Sequence, residues 1–432
     1  MKRLSLYLWL CLCVLLPVGC TYVFIPVPVL IPAQKTAATA SQVAPPPVVT
    51  TTQTLSQTIA PTITQPITQP ITQMMALTTT EVTTQAIASE NLAQALALTP
   101  ANARALYFTD WSQIKRYKNV TALNSKSPLD QRTAFFLGLD KDQAAPNIYG
   151  ARAFLRFAET WAWDSTDLAW EVSIDSENAP VHILKFRDDF NFAPVLARFR
   201  ERKFHQQTID SATVYTHEQA LTEEWFTVGE LSIANTAVIT SAKLFVLSSD
   251  IVAVQAILDL YHQKADALSG DTDVHATAAG LGDVAAAIVT PGLSTCRGLS
   301  FDAISQQISQ TQQISDTQLV ELKQQVLGDV EFHTYTGFAL GYRYRAGQPS
   351  GTVVLHYPSA ADAEVDLAAR RSAAEKGISI ANRKPISETL FTVATATVAD
   401  HNLIFELQPT NNQPSRLFQM FFYRDMAFAG CP

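Results

Sequence analysis

The chain has 432 residues, a formal net charge of −8 and only 16 % charged residues against 47 % hydrophobic ones. That charged fraction lies below the roughly 25 % of ordinary soluble domains. No basic run breaks the pattern, which excludes a nucleic-acid partner, because such a protein needs a positive stripe to neutralise phosphates.

Lys2 and Arg3 open the chain, and an apolar run follows from Leu4 to Val18. These are the basic and hydrophobic regions of an export signal, whose apolar part spans about 7–15 residues. Gly19-Cys20 comes next. With that run before it, the pair resembles the end of a bacterial lipoprotein signal, where a small residue precedes the cysteine that becomes the lipidated N-terminus. The resemblance covers residues 1–20 and implies lipidation of Cys20. Pro17 stands where leucine is usual, and Thr21 leads into YVFIPVPVLIP rather than a polar stretch. Leu4 to Ile31 is also long enough for an uncleaved anchor, since a span takes about 20 apolar residues. Pro17, Gly19, Pro26 and Pro28 interrupt that span and remove or weaken its backbone bonds. Secretion without lipid is the third reading. All three put the body outside the cytoplasm, and the first two tie it to a membrane.

Residues 21–97 read as an apolar stretch and then a Thr/Pro/Gln-rich disordered linker. No charged residue falls between Lys35 and Glu81, and PITQ recurs from Pro66 and Pro70. Such composition resists helix and cannot bury a core. Its reach is of order 45 Å as a coil and approaches roughly 200 Å when stretched.

Two α+β domains are expected after it, 98–270 and 271–432, as related halves that repeat one order of elements. Each is read as an antiparallel sheet of hairpins covered by helices, an internal duplication; one sheet shared by both halves is the rival. In the first half, RALYFTDW and a helix near ARAFLRFAETW precede the hairpin LAWEVSI/VHILKF. A helix over NFAPVLARFRERKF follows, carrying Phe192, Val195, Leu196 and Phe199 at helical spacing. Then come a strand near SATVYTH, a polar excursion, the hairpin SIANTAVIT/KLFVLSS and a helix from Ile251 with Asp250 as its N-cap. In the second half, VAAAIVTPG and amphipathic pieces within 301–327 precede FALGYRYR/GTVVLHY, with AGQPSG as the turn. A helix stopped by Gly377, the hairpin LFTVATATVAD/NLIFELQ and a helix over RLFQMFFYRDMAF complete it.

Chemistry is sparse. HEQAL at His217 lacks the second histidine of a zinc motif, and SQIK at Ser112 lacks the companion motifs that give S-x-x-K meaning. Asp271, Asp273 and His275 in GDTDVH form the best metal candidate, but the calcium loop's glycine and terminal glutamate are missing, so a solvated acidic loop is the expectation. No cofactor is expected. His182 and His356 fall at comparable places in the two hairpins, where a pseudo-twofold axis would bring them face to face; strand residues pointing to solvent are the simpler reading. Trp163 in WAWDSTDLAW and Trp225 in LTEEWF are the binding candidates, since exposed indoles stack on sugars, although tryptophan more often anchors a core. Cys296 and Cys431 are the even pair left in the body and are expected to bond in an oxidising compartment. The expected function is a non-catalytic, membrane-tethered envelope protein whose body binds a protein or glycan ligand. An envelope hydrolase assembled from distant residues and a structural surface-layer component are the alternatives.

Overall fold

The computed structural model describes residues 88–142, 154–177, 179–218, 232–303, 305, 315–326, 332–345, 347–379 and 383–431, all within the unit Thr80–Pro432. In chain order, α1 (Glu90–Ala97) leads to β1 (Ala105–Thr109), α2 (Trp111–Tyr117), α3 (Leu129–Asp142) and α4 (Phe154–Trp161). The hairpin β2 (Leu168–Asp175) and β3 (Val181–Phe186) comes next. After it run α5 (Ala193–Glu201), β4 (His205–Ile209), β5 (Ala212–Thr216), β6 (Asn235–Ile239), β7 (Leu244–Ser248) and α6 (Ile251–Tyr261). The second half contains α7 (Thr272–Leu281), β8 (Ala286–Pro291), α8 (Gly292–Gly298) and α9 (Asp316–Val326). It ends with β9 (Gly337–Arg345), β10 (Gln348–His356), α10 (Ala360–Lys376), α11 (Ile386–Thr389), β11 (Phe391–Ala399), β12 (Asn402–Pro409) and α12 (Ser415–Phe422).

The twelve strands among the described residues form one antiparallel sheet, ordered β11-β12-β10-β9-β8-β1-β2-β3-β7-β6-β5-β4. The seam is β1 against β8, with Leu106 opposite Val289 and Phe108 opposite Ala287. From that seam each half runs outward in the same order: opening strand, hairpin, final strand, and the partner of the final strand. The fold is α+β with two related halves, and segments 98–270 and 271–432 share the sheet instead of each closing its own.

Side-chain alternation sends apolar groups to both faces. Leu106, Phe108, Val172, Ile183, Val246, Val289 and Val354 belong to the layer with α1, α6 and α7. Leu184, Phe245, Ile288, Leu340, Val353 and Phe405 belong to the layer with α2, α5, α8 and α12. His182 alternates with Leu184 and so lies on the second face, whereas His356 alternates with Val354 and lies on the first. The two histidines therefore do not face each other.

Other boundaries differ from the sequence reading. The ordered body begins before residue 98: Ser89 caps α1, and Leu92, Ala95 and Leu96 are fully buried. β4 was not expected, because HQQTI is exposed along almost its whole length and shows no apolar alternation. The strand pairing of β9 and β10 runs through Pro349 to Gln348, so the turn is tighter than AGQPSG, with Gly347 at φ 80°. α12 stops at Phe422, just before Arg424 takes a positive φ of 56°.

Candidate functional site

Asp110 organises the site. Its carboxylate caps α2 by accepting from the Gln113 N–H at 2.8 Å and accepts from Asn91 Nδ2 at 2.8 Å. The second bond ties α1 to the start of α2. Burial pushes the Asp110 carboxyl up, against the pull of these two hydrogen bonds. Ser112 donates to the Ala169 carbonyl at 3.2 Å and holds α2 over the start of β2. There a register shift between Leu168 and Trp170 turns Leu168 to one face and Trp170 to the other, as bulges beside sites often do. β3 runs alongside and carries Lys185, with Arg187 just past its end.

Together these parts shape a polar cleft of about 380 Å³, lined by Asn91, Gln94, Ser112, Ala169, Trp170, Lys185, Arg187 and Asp188. Ligand sites start at about 300 Å³. Lys185 Nζ donates to the Ala242 carbonyl at 2.8 Å and lies 3.9 Å from Asp188. Arg187 Nη2 reaches Asp189 at 3.2 Å. The Asp188 and Asp189 side chains are 97 % and 73 % exposed, so both pairs are weak. Two donors stay open: Trp170 Nε1, on a residue 1 % exposed, and Arg187 Nε have no acceptor among the described residues. A buried donor left unpaired costs on the order of 1–3 kcal/mol.

Behind the cleft, Lys115 is buried and donates to the carbonyls of Thr166 at 2.8 Å and Leu168 at 3.0 Å. Burial, then the Arg187 charge, push its ammonium down to about 8; Asp167, Asp164 and Asp110 pull the other way. Arg132 pairs with buried Asp164 at 2.8 Å, and Asp164 and Asp167 cap the turn before β2 reciprocally. Ser112 and Lys115 thus send their polar atoms to different backbone carbonyls, which is a structural use of the S-x-x-K spacing.

The residues singled out in the sequence do not converge here. Trp163 is 2 % exposed and packs edge-on against Phe157 and Phe186, which corrects its candidacy as a sugar platform. Trp225 and Cys20 lie outside the described residues. Asp271 caps α7 by accepting from the Asp273 and Val274 N–H groups. Asp273 lies 3.7 Å from His356 Nε2, while His275 is exposed. Among the described residues no group of three or more His, Cys, Asp or Glu is placed to hold a metal; GDTDVH, expected as a solvated loop, begins helix α7 with Asp271 as its cap. Cys296 and Cys431 are joined as a disulfide, Cα to Cα 5.1 Å. Two Ser–His contacts occur among the described residues: Ser211 Oγ lies 3.4 Å from His262 Nε2, and Ser173 Oγ sits 2.6 Å from His182 Nδ1. Burial pushes that imidazole down to about 4, too weak a base to activate a hydroxyl at neutral pH.

The cleft's lining was missed. Lys185 and Arg187, two residues apart in KFR at a strand end, were the readable signal. Asn91 and Gln94 fell in what read as linker, and Trp170 was one indole of the WAWDSTDLAW cluster, from which only Trp163 was carried forward as a candidate.

No protein-family model matches the chain, and no curated protein does. Among solved structures, crystal form I of TP0453 aligns at TM-score 0.38 and 8 % identity, covering 76 % of this chain and 98 % of that one. Crystal forms III and IV align at TM-scores 0.34 and 0.35, each at 9 % identity over 76 % of this chain and 97 % and 96 % of theirs. A likeness at this level establishes no family. Among the described residues no helix is long and apolar enough to cross a membrane.

Proposed function

We propose that this is an exported envelope protein, tethered to a membrane by lipid on Cys20, whose body works as a non-catalytic binding module. The observation that carries the binding reading is the cleft: its hydroxyl and its neighbouring lysine are committed to backbone carbonyls, while two of its N–H donors, Trp170 Nε1 and Arg187 Nε, have no acceptor among the described residues. Such a lining grips an acceptor and is not arranged to move a proton. The export reading is supported by the basic and apolar N-terminal run, the uncharged Thr/Pro/Gln stretch and the bonded cysteine pair, which suits an oxidising compartment. The test is the mass of the mature N-terminus together with detergent partitioning. A diacylated chain beginning at Cys20 in the detergent phase is expected. A chain beginning at Met1 and found in the soluble cytosolic fraction would overturn the proposal.

A further inference from the structure

The cleft's lining is specific enough to name a ligand class, an inference that rests on the binding-module reading above. Its volume of about 380 Å³ is the share of roughly a dozen liquid waters, enough for a monosaccharide-sized molecule. Apart from Ala169 and the Trp170 ring, every lining side chain is polar. Two are cations, Lys185 and Arg187, and the opposing carboxylate, Asp188, is turned to solvent. Two buried N–H donors, Trp170 Nε1 and Arg187 Nε, lack acceptors among the described residues. Trp170 is the telling one, since its ring is buried and packed near Phe108, so the ring cannot swing out to hydrate its N–H. Opposite these donors, Asn91 and Gln94 on α1 and Ser112 on α2 offer neutral polar groups suited to hydroxyls.

We propose that the cleft binds a small polyhydroxylated oxyanion, a sugar acid or sugar phosphate, holding its carboxylate or phosphate with Lys185, Arg187 and the Trp170 N–H and its hydroxyls with Asn91, Gln94 and Ser112. Arginine favours this role because its planar fork matches both oxyanions.

The test is calorimetric titration of the full mature protein in detergent with glucose 6-phosphate, glucuronate, glucose and inorganic phosphate. Glucose 6-phosphate, glucuronate or both are expected to bind, with glucose weaker by at least about tenfold, the value of a charge-assisted hydrogen bond. The anion that wins tells phosphate from carboxylate. Binding should weaken as salt is raised. Trp170→Phe keeps an aromatic ring, smaller than the indole, and deletes one donor; Lys185→Gln alters a partly exposed head group; each should weaken the charged ligand by about tenfold and leave glucose unchanged. Asp188→Asn, at a residue turned to solvent, should strengthen it a few-fold, a gain that misfolding cannot imitate. The inference is overturned if glucose binds as tightly as the anions, if inorganic phosphate alone matches glucose 6-phosphate, or if no probe binds at about 10 mM, far above any useful affinity. It is equally overturned if all three variants bind as the parent does. None of these results bears on lipidation, so failure here leaves the tethered-module reading to its own test.

Discussion

Lys115 is the residue whose environment has the clearest measurable consequence. Unfolded, its ammonium titrates near 10.5; folded, burial and Arg187 bring it down to about 8. Between those values the unfolded chain holds a proton that the folded chain has released. Stability therefore rises with pH across the window from about 8 to 10.5, by of order 2–3 kcal/mol. Below about 8 both states are protonated and the full penalty of the buried charge persists. Tyr107, pushed up to about 12, and Tyr215, Tyr335 and Tyr357, also pushed up, each chiefly by burial, act in the opposite sense as the pH nears about 10, where unfolded tyrosine ionises, and offset the rise there. Urea unfolding at about pH 8 and about pH 9, below the ionisation of unfolded tyrosine, should show a rise of about 1 kcal/mol in the parent. In Lys115→Met it should be nearly flat, and an equal slope in both proteins would show that another group is responsible. At this scale little of the site was legible. In the sequence Lys115 is only the last residue of SQIK; the fold places its head group under the Thr166 and Leu168 carbonyls.

Helix α8 shows how an element is seated by what it lacks. Gly292 begins it, and its N–H donates to the Thr336 carbonyl at 2.6 Å. A Cβ built there would lie 2.3 Å from the Thr336 carbonyl carbon and 2.4 Å from the Gly337 nitrogen, both backbone atoms that cannot turn aside. Gly292→Ala must push α8 off β9. The expected cost is about 2–4 kcal/mol, in the range of overpacked cores, read as a fall in the urea midpoint. An unchanged midpoint would show that the contact relaxes freely. The strands themselves were largely legible. LFVLS, apolar up to Ser248, is buried at every position of β7 under α6, whereas NLIFELQ alternates, and β12 is fully buried only at every second residue. That contrast marks a real asymmetry between the halves. α6 covers the first face, but its counterpart α12 places Leu417, Phe418 and Met420 on the second. Thr392, Thr395 and Thr397 of β11 are left exposed. What periodicity could not reveal was the β1–β8 seam. Both strands read as preludes to their hairpins, and pairing between distant segments leaves no local trace. β4 was lost for the opposite reason: an exposed edge strand needs no apolar alternation.

Across the whole molecule, the second half is closed by two fasteners on one segment, residues 427–431. The disulfide joins Cys431 to Cys296 on α8 across a separation of 135 residues. Beside it, fully buried Arg370 donates through Nη1 to the carbonyls of Phe428 at 2.7 Å and Gly430 at 2.9 Å. Its Nη2 reaches the His333 carbonyl at 2.8 Å, and its Nε reaches Asp366 at 2.9 Å. The guanidinium lies 4.2 Å from the centre of the Phe332 ring. Burial alone would raise the Asp366 carboxyl, but the His333 hydrogen bond and the Arg370 charge outweigh it and hold the group below its ordinary value. Tyr335 adds a bond to the Ala429 carbonyl at 2.7 Å. Removing the disulfide as Cys296→Ser with Cys431→Ser frees a long loop in the unfolded chain and should cost about 2–5 kcal/mol. Arg370→Leu strands a buried carboxylate and should cost about 3–5 kcal/mol. The two losses should not add. Once 427–431 is released, Arg370 has already lost the Phe428 and Gly430 carbonyls, so the triple variant should fall short of the sum by at least about 1 kcal/mol. Strict additivity in urea unfolding would show that the bridge and the arginine hold the segment independently.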